Sequence, residues 1–192
     1  VFYPRSPRAL APEAARDLRR RLPSYVSAVG LFVNEEPARV REIAGQVGLD
    51  VLQFHGDESA AQCGQSRPAD VPFWRAVRMR QPGDLLESER VFDGAEAFLL
   101  DAFSDGYGGS GQRFDWSWIP PVRHRPLILS GGLDADSVGA AIRQVRPTMV
   151  DVSSGIQGAD PRCKETERMA RFVAAVLAED ARRSRSPSGT PT

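Results

Sequence analysis

Short apolar runs of strand length recur along the chain at residues 28–33, 51–54, 73–77, 97–100, 127–130 and 149–152, beginning about 22 to 30 residues apart. Between them apolar residues return at spacings of three and four: Leu18 and Leu22; Val40, Ile43 and Val47; Val138, Ile142 and Val145; Met169, Phe172, Val173 and Val176. At 3.6 residues per turn each set shares one helix face. Strands alternating with amphipathic helices are βαβ units, and the unbroken apolarity of Phe98 to Leu100 and Leu127 to Leu129 fits a parallel sheet covered on both faces. The pattern predicts an α/β fold. Six strands are visible, Val1-Phe2-Tyr3 reads as the end of a seventh, and an eighth belongs upstream. Counting alone leaves both an open sheet and a closed barrel. Asn34 and Asp134 each follow a strand and are expected to cap the next helix, because a short side-chain oxygen can accept its unpaired amide hydrogens. Residues 182–192 contain no residue that can repay ordering by apolar burial and are expected to form a disordered Arg/Ser/Pro tail on a single domain spanning 1–181.

Composition narrows the partner. The 192 residues are 41% apolar and 26% charged, with 25 basic against 25 acidic groups, enough for one core and too few for two ordinary domains. A formal charge of zero creates no global field toward nucleic acid or an anionic membrane. A small-molecule ligand fits better. Lys164 is the only lysine, an imbalance expected from a GC-rich genome rather than from an Arg-based surface. Cys63 and Cys163 stand far apart in neither a CxxC nor a Cys/His cluster, which suggests no disulfide framework, no metal site and a reducing cytoplasm. The first ten residues carry two prolines and two arginines, and no run is long enough to span a bilayer.

The candidate chemistry lies at strand ends. Ser130-Gly131-Gly132-Leu133-Asp134 is read as a turn into a helix, where glycines let the backbone approach an oxyanion and a helix N-terminus offers free N–H groups. Ser153-Ser154-Gly155 repeats the device one strand later. Paired loops after the last two strands match the phosphate position of (β/α)₈ barrels. Asp101 ends the fourth run, before a loop with Gly106, Gly108, Gly109 and Gly111; a carboxyl at a barrel strand end, once buried, suits a general acid. His55, in Gln53-Phe54-His55-Gly56, either orients a ligand or satisfies a loop carbonyl. His124, between two arginines, reads as a surface residue. No GxSxG, GxGxxG or metal-ligand spacing is present, so the reaction expected is cofactor-free.

Taken in order, Phe2-Tyr3-Pro4-Arg5-Ser6-Pro7-Arg8, Val29-Gly30-Leu31-Phe32-Val33-Asn34, Gln53-Phe54-His55-Gly56, Leu99-Leu100-Asp101 with Gly108-Gly109-Ser110-Gly111 and Phe114-Asp115-Trp116, Ser130-Gly131-Gly132-Leu133 and Val150-Asp151-Val152-Ser153-Ser154-Gly155 resemble the phosphoribosylanthranilate isomerases of tryptophan biosynthesis. The resemblance runs from Val1 to about Val176. It implies a (β/α)₈ TIM barrel whose strand 1, helix 1 and most of strand 2 lie upstream of Val1. It also implies an Amadori rearrangement of N-(5-phosphoribosyl)anthranilate to 1-(2-carboxyphenylamino)-1-deoxyribulose 5-phosphate, without a cofactor, by a cytoplasmic monomer or homodimer. Asp101 looks like the general acid and Arg8 like the partner of the anthranilate carboxylate. His55 and Asp151 look like substrate-orienting residues, and Gly109, Gly131, Gly132, Ser153, Ser154 and Gly155 like phosphate-binding ones. The family's base is a cysteine in a first-strand Lys-Ile-Cys-Gly motif, which these residues do not contain. Cys63 falls in a helix and Cys163 before the last one, so neither is expected to replace it. Impaired turnover, by roughly 10²- to 10⁴-fold, is then the expectation. After the last strand Lys164-Glu165 stands where the family usually has Lys-Asp. The alternatives are a non-catalytic phosphosugar-binding barrel or fusion module and, further off, the histidine-pathway isomerase or indole-glycerol-phosphate synthase.

Overall fold

The structure, a computed structural model, describes residues 1–102 and 114–185. Six parallel strands form one sheet in sequence order: β1 (Val29–Phe32), β2 (Val51–Phe54), β3 (Phe73–Met79), β4 (Ala97–Ala102), β5 (Leu127–Leu129) and β6 (Met149–Val150). Each run read from the sequence holds a strand. The helices are α1 (Pro12–Arg19), α2 (Pro37–Val47), α3 (Ala60–Ser66), α4 (Asp84–Val91), α5 (Val138–Val145) and α6 (Thr166–Arg185). Between β4 and β5 the described residues hold only a 3₁₀ turn, Trp116–Trp118.

Period-two alternation along the strands sends side chains to two cores. On the helix-covered face Phe32, Leu52, Phe54, Phe73, Val77, Phe98, Leu100 and Leu129 meet Val40, Ile43 and Val47 of α2 and Val138, Ile142 and Val145 of α5. The periodic residues of those two helices are all buried, as their spacing predicts. The opposite face carries a small cluster of Ala76, Ala97, Leu99 and Ile128 with Trp74 against it. A sheet apolar on both faces, with strands in consecutive order, is what barrel-type α/β chains require. Phe2 donates its N–H to Leu31 O (2.9 Å), and its ring stacks on Phe32 with centroids 5.2 Å apart, so residues 1–3 run beside β1 without forming a strand of their own.

Four expectations are corrected. Asn34, at φ 51°, does not cap α2, whose N-cap is Glu36; its Oδ1 instead accepts the Asp57 N–H (2.7 Å), joining the turns after β1 and β2. Asp134 does not start α5 either, because its carboxylate accepts the N–H groups of Asp136 (3.1 Å) and Ser137 (2.8 Å), closing a turn that delays the helix to Val138. The helix expected to carry both Leu18 and Leu22 ends at Arg19, leaving Leu22 outside it, and Leu18, Leu22 and Val173 are 54%, 41% and 53% exposed. Finally, α6 continues through Arg185, four residues into the stretch expected to be irregular. Glu179, buried at the α5 contact, pairs with Arg143 and with Arg182 one turn on, and Ser184 Oγ donates to Asp180 O (3.0 Å). No described helix is long and apolar enough to cross a membrane.

Candidate active site

The C-terminal ends of the strands converge on one pocket of about 100 Å³, lined by Leu31 and Val33 from β1 and its turn, Gln53 and His55 from β2, Asp101 from β4, Ser130 after β5, and Asp151 and Ser153 after β6. Val1, Tyr3, Ser6 and Arg8 close the remaining side. Residues from both edges of the sheet therefore face each other across it, which requires a curled sheet.

Asp101 is 5% exposed; its Oδ1 accepts the Ala102 N–H (2.9 Å), and its Oδ2 lies 3.5 Å from His55 Nε2. On the far side of the ring, Gln53 Nε2 lies 3.2 Å from Nδ1. An amide N–H donating to Nδ1 leaves the neutral imidazole's proton on Nε2, facing the Asp101 carboxyl. His55 is thus held between an uncharged donor and an acid. Asp151 is fixed from below by Ser130, whose hydroxyl donates to Oδ2 (2.9 Å). Burial, and then the nearby Asp101 carboxylate, push the Asp151 carboxyl above its ordinary range, against the pull of the Ser130 hydroxyl, His55 and Lys164.

Two cations lie near these acids, Arg8 in the pocket lining and Lys164 close to Asp151. Arg8 is set by consecutive tight turns: Ser6 N–H donates to Tyr3 O (2.9 Å), and Ser6 Oγ accepts the Arg8 N–H (3.1 Å). Lys164 donates from Nζ to Ser153 O (2.8 Å); burial first and the Arg8 charge second lower its pKa, with Asp151 opposing.

The two glycine loops touch. Gly131 and Gly132 take φ 89° and 62°, a left-handed course that side chains resist, and turn the chain back at the end of β5. Gly155 packs so closely on the next residues that a Cβ would run into the Leu133 carbonyl oxygen. Ser153, Ser154 and Gly155 lead into a 3₁₀ turn (Ser154–Ile156), and Gly155 lines a neighbouring cavity with Asp134, Arg168 and Arg171. The helix N-terminus expected directly at Gly131-Gly132 is instead separated from it by the Asp134 turn.

Asp101, His55, Asp151, Arg8 and Ser153 are thus brought together, with the other loop residues beside them. Gly109 and the glycines around it lie outside the described residues. Neither cysteine lines the pocket: Cys63 is on the buried face of α3, its thiol pushed up to about 12 chiefly by burial, and Cys163 is exposed. Among the described residues no group of three or more His, Cys, Asp or Glu is arranged to hold a metal ion. Sequence reasoning missed Gln53, Lys164 and Ser130 as supports; a residue acting through another leaves no motif of its own.

Residues 1–175 match the family model described as N-(5'-phosphoribosyl)anthranilate (PRA) isomerase. The chain is 50% identical over 180 residues to N-(5'-phosphoribosyl)anthranilate isomerase of Dechloromonas aromatica, covering 94% of this chain and 85% of that protein. It is 48% identical over 189 residues to the protein of the same name in Leptothrix cholodnii, covering 98% and 84%. Among solved structures, phosphoribosyl anthranilate isomerase from Thermotoga maritima superposes with a TM-score of 0.83 at 38% identity, covering 92% of this chain and 85% of that one. A second structure of such an isomerase, in complex with reduced 1-(o-carboxyphenylamino)-1-deoxyribulose 5-phosphate, gives a TM-score of 0.79 at 36% identity over 92% and 84%. A match of this extent, at this identity, to proteins carrying the same name leaves one assignment: the chain belongs to the N-(5'-phosphoribosyl)anthranilate isomerase family.

Proposed function

We propose that this pocket performs the Amadori rearrangement of N-(5'-phosphoribosyl)anthranilate, a step of tryptophan biosynthesis, with Asp101 as general acid. The observation that carries the reading is the convergence of Asp101, His55, Asp151 and Arg8 on one cavity at the strand ends. Asp101 protonates the ribose ring oxygen as the C1–O bond breaks, giving a Schiff base. A base then removes the C2 proton to leave an enolamine, which tautomerises to the ketone. His55, its proton held toward Asp101, and Asp151 orient the sugar hydroxyls. Arg8 receives the anthranilate carboxylate, which its planar fork suits. Gly131, Gly132, Ser153, Ser154 and Gly155, with Gly109, take the phosphate. A pocket of about 100 Å³ is narrower than a site for a whole ligand of this size. It fits the reacting carbons, with the aryl and phosphate ends lying toward Arg8 and the glycine loops. The reaction is expected to need no cofactor, in a cytoplasmic protein acting as monomer or homodimer.

The six strands are read as an arc of a (β/α)₈ barrel whose seam, between β6 and β1, takes strand 1, helix 1 and most of strand 2. Support comes from apolar side chains on both sides of that seam, Leu18, Leu22 and Val29 on one and Met149, Met169, Val173 and Leu177 on the other, each more than a third exposed. The family's base belongs to strand 1. Nothing in the pocket supports the expected impairment: the acid and both orienting residues face one cavity. The non-catalytic alternative is favoured only by the position of the two cysteines.

The test is fluorescence-monitored loss of substrate, for the chain alone and joined to a strand-helix unit carrying Lys-Ile-Cys-Gly. The joined chain is expected to unfold at a higher temperature and to turn over, and Asp101→Asn to reduce its kcat by roughly 10²- to 10⁴-fold. Undiminished turnover in Asp101→Asn overturns the assignment of the acid; no turnover in the joined chain favours the binding module.

A further inference from the structure

We infer that Gln157 is the positioning residue of Arg8 and thereby a determinant of specificity for a carboxylate-bearing aryl group; the inference rests on the reading of Arg8 given above. Gln157 and Arg8 are 149 residues apart, yet Arg8 Nη2 donates to Gln157 Oε1. The amide oxygen is an uncharged acceptor, so it holds the guanidinium without neutralising it. The arginine keeps its full charge for an incoming anion. Arg8 Nε is buried and has no hydrogen-bond partner among the described residues. A buried charged donor left unpaired is costly, and such a donor in a ligand pocket marks where an acceptor is expected.

Gln157 is itself rigidly set, as a positioning residue must be. Its N–H donates to Ser154 O (3.1 Å), and it forms an antiparallel bridge with Lys164. On either side of that bridge Gly158 N–H donates to Cys163 O (3.0 Å) and Glu165 N–H to Ile156 O (2.9 Å). This small hairpin follows the Ser153-Ser154-Gly155 loop directly. The loop assigned to the phosphate and the residue that aims the carboxylate-binding arginine are therefore parts of one backbone unit, which sets the distance between the two anionic ends of the substrate.

The experiment is calorimetric binding to the full chain, which does not depend on the catalytic base. Two ligands are compared: reduced 1-(o-carboxyphenylamino)-1-deoxyribulose 5-phosphate and its phenylamino analogue lacking the carboxylate. Gln157→Leu is expected to weaken the first about tenfold, the scale of one hydrogen bond to a charged group, and to leave the second within about twofold. Gln157→Asn, too short to reach Arg8, acts in the same direction and serves if the leucine variant folds poorly. In an Arg8→Ala background the Gln157 substitution is expected to have no further effect. Equal weakening of both ligands, or of neither, overturns the inference. Should Arg8→Ala itself fail to discriminate between the ligands, the reading of Arg8 fails instead.

Discussion

The Asp151 carboxyl is pushed above its ordinary range, because burial and the Asp101 carboxylate both favour its neutral form. A carboxyl whose pKa is raised in the fold holds its proton there longer than in the unfolded chain. Its contribution to stability is then fully present below the ordinary carboxylate range and is lost as pH rises through the raised value. Asp151→Asn removes that loss, since an amide does not ionise and its oxygen can still accept from Ser130. The melting temperature of the variant is expected to exceed that of the parent at neutral pH, with the difference shrinking as pH falls below the carboxylate range. Thermal unfolding across pH checks this, and a lower melting temperature for the variant at neutral pH contradicts it. Asp101, Asp151 and His55 were legible in the sequence because each ends or follows a strand, whereas Arg8 was singled out by its motif alone. Ser130 and Gln157 were not legible as supports, since the side chains they act on are distant in sequence, and Gln53, two residues from His55, was quoted only as part of its motif.

The strand-end turns owe their rigidity to one buried ion pair. Glu58, 4% exposed at its side chain, accepts from Asn34 N–H (2.7 Å), Gly56 N–H (3.0 Å) and Arg75 Nη1 (2.8 Å). Arg75 reaches back to Gly56 O (2.8 Å) and lies 4.6 Å from the Phe92 ring centroid. Three elements, β1, β2 and β3, are locked together around the backbone that carries His55. Glu58→Gln leaves the guanidinium buried without its counter-charge, a change that costs about 3–5 kcal/mol. A large fall in melting temperature is expected, whereas Glu87→Gln, which breaks the exposed Glu87 to Arg90 pair, is expected to leave it unchanged. Equal effects of the two substitutions contradict the role given to burial. Strands and the faces of α2 and α5 were readable because period and burial agree there. The starts of α2 and α5 were misread because Asn34 and Asp134 spend their side chains on turns, a competition that local propensity does not resolve.

At the scale of the whole molecule, consecutive parallel strands place every strand C-terminus on one rim, and the curl brings residues from the N-terminal segment and from the turn after β6 within reach of one ligand. Strand spacing conveyed the alternating parallel α/β order, while counting strands left the curl undecided. The sequence could not convey which helix faces stay exposed, because the amphipathic pattern of α1 and α6 is the same whether or not a neighbour covers it. On the proposed reading, a bound phosphosugar meets Arg8 at one end, Asp101 with His55 and Asp151 in the middle, and the touching loops around Gly132 and Gly155 at the other. The most direct test is a crystal structure of the chain with reduced 1-(o-carboxyphenylamino)-1-deoxyribulose 5-phosphate. The account predicts the carboxylate on Arg8, the phosphate against the Gly131-Gly132 and Ser153–Gly155 loops, and Asp101 beside the oxygen derived from the ribose ring; a ligand bound elsewhere, or reversed end to end in this pocket, would contradict it.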